Sequence, residues 1–129
     1  MTEPIWVSHR AVLIIHDRQI ARHGGAAGMR DGGLIDGALQ RPLSKWQSER
    51  ADICSCAAAY AFGIAKAHAF FDGNKRTAFV TSVTFLRLNG WHFVTDPVDG
   101  VAVMEGLASG HVSEDEFRSW LLAGSSSIC

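Results

Sequence analysis

The chain has little cysteine and no long apolar run, and from its first residues we expect no secretory leader. Cys54 and Cys56 stand two residues apart in a helical pattern, about 200° apart around the axis, and are poorly placed to pair or to share a metal ion. This usage is typical of small core residues in a reduced, cytoplasmic protein. No apolar run approaches the roughly 18 residues of a membrane span, and Glu3 and Pro4 interrupt any basic-then-apolar start. We therefore expect a cytoplasmic protein with no membrane partner.

An excess of charge of either sign is also missing. Twelve Lys and Arg residues against 13 Asp and Glu residues give a formal net charge of −1, which supplies no general attraction to nucleic acid. This balance argues against a nucleic-acid partner and against a nuclease toxin, so any phosphate contact must be local. At 47% hydrophobic and 19% charged, the 129 residues can nevertheless bury a core.

Apolar residues recur with a helical period along nearly the whole chain, and no repeat or linker interrupts them. The sequence therefore predicts a single all-α domain of six helices over residues 1–129, with 124–129 as a frayed tail. Caps and glycine or proline stops place the helices from Ser8 to Gly24, Asp31 to Pro42, Asp52 to Ala67, Asn74 to Asn89, Asp96 to Ala108 and Ser113 to Leu122. The fourth has so little polar surface that we expect it to be the central, mostly buried helix.

The start of the fourth predicted helix has the composition of an anion site. Gly73 lets the backbone approach a ligand without a Cβ in the way. The first N–H groups of a helix have no intrahelical partner and lie at the positive end of its dipole. Lys75 and Arg76 place two cations there, which an isolated helix disfavours, so their presence suggests an anion that offsets the repulsion.

His68 and Asp72 stand just before this site and supply acid–base and metal-binding groups. A histidine can take a proton from a hydroxyl near neutral pH, and a carboxylate beside phosphate is the usual way to hold Mg²⁺. Together with the anion site they make up the groups needed for phosphoryl or nucleotidyl transfer. The alternative is a pair of metal ligands in a hydrolase, but no third ligand stands nearby in the sequence.

The run from His68 to Thr77, read as His-Ala-Phe-Phe-Asp-Gly-Asn-Lys-Arg-Thr, resembles the motif of the Fic/Doc family. Its Asn-Lys-Arg-Thr ending is similar to the Doc branch, whereas the adenylyl-transferring Fic branch has Gly-Asn-Gly-Arg. The resemblance covers most of the chain up to about Asn89 and includes a segment with Gly24-Gly25, Gly28, Arg30-Asp31, Leu34, Ala38 and Arg41-Pro42.

Two positions depart from the Fic pattern. Ala69 stands where many members have proline, which removes no chemistry. Phe79 stands where Fic enzymes have a second phosphate-binding arginine, and this departure weakens the interpretation as an adenylyltransferase.

The resemblance implies a six-helix Fic fold and a bacterial type II toxin–antitoxin system in which a cognate antitoxin binds the toxin. It implies transfer of the γ-phosphate of ATP, with Mg²⁺, to a hydroxyl of elongation factor Tu, which inhibits translation. In this scheme His68 is the base, Asp72 serves the metal, and Lys75 decides which phosphate is transferred. The residues expected to hold phosphate are Gly73, Asn74, Lys75, Arg76 and Thr77.

Two other functions stay open from the sequence. One is transfer of the adenylyl (AMP) group to a protein hydroxyl by the same site. The other is a catalytically inactive module that only binds a partner, against which the intact His68, Asp72, Asn74 and Arg76 argue.

Three further features have competing interpretations. Lys66 either reaches the phosphate site or favours the negative end of the third helix. Arg30 and Asp31 either fold over the active site as a substrate loop, or serve as a surface residue and a helix cap. The third feature is a heptad-spaced stripe that we interpret as a polar helix face rather than a metal site, formed by His9, His16 and His23.

Overall fold

Six α-helices and one small antiparallel sheet make up residues 2–128, the part of the chain that this computed structural model describes. The helices are α1 (His9–His23), α2 (Gly32–Glu49), α3 (Ile53–Ala67), α4 (Asn74–Leu88), α5 (Pro97–Ser109) and α6 (Glu114–Gly124). The strands are β1 (Trp91–Phe93) and β2 (Ser125–Ser127). The prediction of a six-helix, all-α fold is confirmed.

Local capping signals explain where most helices begin. Five of the six helices in the described chain start behind a side chain that accepts a hydrogen bond from a first-turn N–H group. These capping residues are Ser8, Asp31, Asp52, Asp96 and Ser113. Because a cap satisfies donors that the helix itself cannot, such signals can be identified within four residues of sequence.

The helix α2 does not end at Pro42, so that predicted boundary is wrong. It continues through the proline to Glu49 and ends at Arg50, whose backbone is left-handed. Proline removes one main-chain hydrogen bond. Here the ring is buried and α2 packs along α3, and this burial offsets the loss.

The central helix is α3 rather than α4, which corrects the expectation from the sequence. Ten of its 15 residues are buried, and it packs against α2, α4, α5 and α6. Alanine side chains allow neighbours to approach on several sides, and α3 is rich in them, with Ala57, Ala58, Ala59, Ala61 and Ala65. The helix α4 exposes more of its surface, and Leu88 is an exposed apolar residue at its end.

Ser125–Ser127 pair with another strand, so the prediction of a frayed tail is wrong for these three residues. This segment, β2, runs antiparallel to β1, with Trp91 opposite Ser127 and Phe93 opposite Ser125. The N–H of Ile128 also donates to the carbonyl of Gly90 at 2.9 Å. Serine side chains favour solvent, but main-chain groups still pair when a neighbouring strand offers partners.

Both described cysteines are buried thiols, as expected. Cys54 and Cys56 are unpaired, and burial raises the pKa of Cys56 to about 11. Cys129 lies outside the described residues. None of the helices between residues 2 and 128 is long and apolar enough to cross a membrane.

Candidate active site

The candidate site is the loop between α3 and α4, and His68 stands at its start in a strained conformation. Its φ of 50° and ψ of 44° are left-handed, and Arg50 is the other non-glycine residue with positive φ between residues 2 and 128. Such a conformation costs roughly 1–3 kcal/mol and persists only where surrounding contacts impose it. The His68 carbonyl accepts a hydrogen bond from Arg30 Nη1 at 3.1 Å, and the residue is exposed.

The N-terminus of α4 differs from those of the other helices because no side chain caps it. Gly73 occupies the capping position with a φ of 78°, and the first main-chain bond is donated by Thr77 to the Gly73 carbonyl at 2.9 Å. The N–H groups of the three residues between them make no hydrogen bond within the described chain; these are Asn74, Lys75 and Arg76. Three orphan donors at the positive end of a helix dipole form a site for an anionic oxygen.

Asp72 is held through its carboxylate and through its main-chain carbonyl, by the loop that follows α1 and by α1 respectively. Its carboxylate oxygen Oδ2 accepts from the N–H of Ala26 at 2.7 Å, and its carbonyl oxygen lies 2.8 Å from His16 Nε2. Gly25 lets the loop come this close to Asp72, because a Cβ on residue 25 would stand only 3.2 Å from Asp72 Cβ. The φ of Gly25 is +114°, a conformation that also favours glycine. The carboxylate remains exposed, so its second oxygen is available to a ligand.

The glycine-rich loop between α1 and α2 lies directly against the candidate site. The N–H of Arg30 donates to the Ala69 carbonyl at 2.6 Å, and Met29 and Phe70 form an antiparallel bridge. Asp31 caps α2 through Gly33 N at 2.9 Å. The loop therefore adjoins the site through Arg30, whereas Asp31 has the alternative role of a helix cap.

Two residues predicted to contact phosphate, Asn74 and Lys66, have other partners, and a third, Thr77, is buried. The Asn74 side chain accepts from Phe70 N at 3.0 Å and donates to Phe70 O at 2.9 Å, so it fastens the loop and leaves its main-chain N–H for a ligand. Thr77 is fully buried, and its hydroxyl has no hydrogen-bond partner among the described residues, so its contact with phosphate stays a prediction. The ammonium of Lys66 donates to the Ala108 carbonyl at 3.0 Å, near the negative end of α5 rather than of α3.

The two cations of the first turn are both on the surface. Lys75 Nζ lies 2.9 Å from Glu105 Oε1 of α5, and both side chains are substantially exposed. An exposed pair of this kind contributes at most about 1 kcal/mol, so a phosphate can displace the carboxylate. Arg76 is exposed and has no ion pair among residues 2–128.

One residue near the site was misread from the sequence. His16 was expected on a polar face of α1, but it is 2% exposed and its ring stacks on Phe70, with centroids 3.7 Å apart and planes 8° from parallel. A signal was present, because position 16 is four residues from both Val12 and Ile20 and so shares their apolar face.

Comparison with known proteins finds a family and two relatives that this chain resembles in sequence. A family model described as the Fic/DOC family matches residues 6–86. The chain is 33% identical over 108 residues to "Protein kinase doc" of Escherichia phage P1, which covers 83% of this chain and 85% of that protein. It is also 40% identical over 75 residues to "Toxin Doc" of Mycolicibacterium smegmatis, covering 57% of this chain and 58% of that one.

Proposed function

This chain belongs to the Fic/DOC family, and from that membership we propose that it is a Doc-type toxin that transfers the γ-phosphate of ATP to a protein hydroxyl. The observation that carries the proposal is the uncapped N-terminus of α4 beside Asp72, which can receive phosphate oxygens. The name of the phage relative, a protein kinase, favours phosphate over other transferable groups.

In the proposed reaction, His68 is the base. Its imidazole takes the proton from the acceptor hydroxyl while that oxygen bonds to the γ-phosphorus. The bond between the γ-phosphorus and the β–γ bridging oxygen breaks, and ADP leaves with that oxygen. The left-handed backbone of His68 and its contact with Arg30 fix where the imidazole starts. The α4 N–H groups stabilise charge on the phosphate oxygens.

The residues present fit Mg²⁺. This ion usually keeps several waters and takes one or two protein carboxylates in addition to substrate phosphates. Asp72 has one carboxylate oxygen engaged by Ala26 and would hold the ion with the other. No group of three or more acidic, histidine or cysteine ligands exists within the described range 2–128, which suits an ion held largely by substrate. When bound, Mg²⁺ would neutralise phosphate charge.

Adenylyl transfer is less well supported because of Phe79. Its ring lies 6.1 Å from Phe93 and 6.3 Å from Trp120, centroid to centroid, so this side chain belongs to an aromatic cluster. The second arginine of the Fic pattern therefore has an apolar replacement that contributes to packing, and no cation from that position can assist an α-phosphate.

We propose elongation factor Tu as the protein substrate and a cognate antitoxin as the partner that inhibits the enzyme. The motif's similarity to the Doc branch supports both, and the mycobacterial relative is named as a toxin. A catalytically inactive binding module is the competing proposal. Strain at His68 argues against it, because a module without catalysis gains nothing from a strained histidine.

The test is intact-mass analysis of elongation factor Tu after incubation with ATP, Mg²⁺ and this protein, with parallel α- and γ-labelled ATP. We expect a gain of one phosphate, labelled from the γ position, which His68→Ala abolishes and His23→Ala, an exposed change on α1, preserves. A gain of adenylate would refute phosphotransfer. If a cell lysate is labelled in the same way and another protein carries the label, only the choice of elongation factor Tu as substrate is refuted. If no protein is labelled, the catalytically inactive binding module is favoured.

A further inference from the structure

The buried histidine of α1 touches the active-site loop at three points. The His16 ring stacks on Phe70, and its Nε2 lies 2.8 Å from the carbonyl oxygen of Asp72. A Cβ placed on Gly73 would stand 3.6 Å from both Cδ2 and Nε2 of the same ring. Residues 70, 72 and 73 thus rest on one side chain from a distant part of the chain.

The partner of Nε2 shows that this ring nitrogen carries a proton. A carbonyl oxygen can only accept, so the hydrogen bond requires the proton on Nε2. The other ring nitrogen, Nδ1, is 4.0 Å from Asp17 Oδ1, which is too long for a hydrogen bond. His16 Nε2 is therefore the donor in the bond to the Asp72 carbonyl.

We propose that His16 is a positioning residue for the phosphate-transfer site. Its N–H fixes the Asp72 main chain, and its ring fixes Phe70, whose backbone is in turn fastened to Asn74 at the start of α4. If His16 only filled space, an apolar ring would be enough. Instead, its N–H donates to Asp72, the residue proposed to hold the metal, and so helps to fix the geometry of the loop. The part of this inference that concerns catalysis rests on the proposed function.

Two substitutions with unbranched side chains of similar length separate the hydrogen-bond donor of His16 from its packing on Phe70. His16→Gln keeps an N–H donor, whereas His16→Met has none, and both lose the aromatic stack. A net hydrogen bond of ordinary strength corresponds to about a 2- to 12-fold change in an equilibrium. We expect His16→Met to need that much more Mg²⁺ for half-maximal transfer than His16→Gln, with similar melting temperatures. His23→Met, on the exposed side of α1, is the matched control and should equal the parent.

A second readout needs no catalysis. The N–H groups of Arg30 and Phe70 are hydrogen-bonded through this loop, to Ala69 O and Asn74 Oδ1 respectively. In hydrogen exchange followed by NMR, both amides should exchange about 2- to 12-fold faster in His16→Met than in His16→Gln, relative to the Cys56 amide of α3.

The outcomes separate the two proposals. If the parent transfers phosphate and the two variants match each other in exchange and in Mg²⁺ dependence, the positioning role is wrong. If neither the parent nor any variant transfers phosphate but exchange differs as expected, the role of His16 in holding the loop stands and the enzymatic proposal fails. Should either variant fail to fold, the ¹⁵N shifts of the parent ring decide, because an unprotonated Nε2 on His16 overturns the proposal.

Discussion

Replacing His68 by glycine should abolish activity and at the same time stabilise the protein relative to the alanine variant. The reason is the left-handed backbone of His68, which glycine adopts freely and which costs other residues roughly 1–2 kcal/mol. Both changes remove the imidazole, so both should lower transfer by about 10²- to 10⁴-fold. Only glycine also removes the backbone strain of the folded state. The unfolded chain of the glycine variant has more conformational entropy, which cancels part of the stabilisation.

The expected net difference is about 1 kcal/mol in favour of His68→Gly, which for a domain of this size raises Tm by roughly 3–6 °C. Arg50 provides the matched control, because it ends α2 with nearly the same backbone, φ 50° and ψ 43°. Arg50→Gly and Arg50→Ala both lose the contact of the guanidinium with the Trp46 ring, 4.3 Å away, so their difference isolates the backbone effect.

The assay is urea unfolding of all four variants, followed by circular dichroism, together with γ-label transfer. The two glycine–alanine differences should have the same sign and agree within a few tenths of a kcal/mol, while only the variants at position 68 lose activity. A stabilising difference at Arg50 with none at His68 would contradict the reasoning, because it would mean that His68 is not left-handed in solution.

Three further changes have definite expected results. Asn74→Ala removes both hydrogen bonds to the Phe70 backbone and should destabilise the protein by about 1–3 kcal/mol in urea unfolding, whereas Asn74→Asp, which keeps the acceptor, should lie between it and the parent. Lys75→Gly should abolish γ-phosphate transfer because it removes charge from the anion site; retention of γ-label transfer within a few-fold would show that Lys75 does not have this role. Burial raises the pKa of Asp52, but hydrogen bonds from Arg118 and Ser55 outweigh it and hold that pKa below the ordinary value of 3.8. The stabilisation from Asp52 is therefore present above that value and is lost as pH falls through the lower, folded pKa. Between pH 7 and pH 3 the free energy of unfolding should fall by at most about 1 kcal/mol on this account, and Asp52→Asn should remove this part of the pH dependence.

The candidate site could be predicted largely from the sequence because its parts are consecutive. His68, Asp72, Gly73 and the first turn of α4 lie within ten residues, and the geometry of a helix start follows from local backbone rules. The same holds for the caps of the other helices. Local interactions of this kind need no knowledge of which segments meet in the folded protein.

Only the tertiary structure decided what supports that site. His16 and Asp72 are 56 residues apart in sequence, and nothing local to either position indicates that α1 lies beneath the loop. The roles of Asn74 and Lys66 depend on Phe70 and on the end of α5, and the pairing of Ser125–Ser127 depends on β1. The chemical identity of a side chain does not show whether it faces solvent or a neighbouring helix. Only the packing between distant segments determines which environment it has.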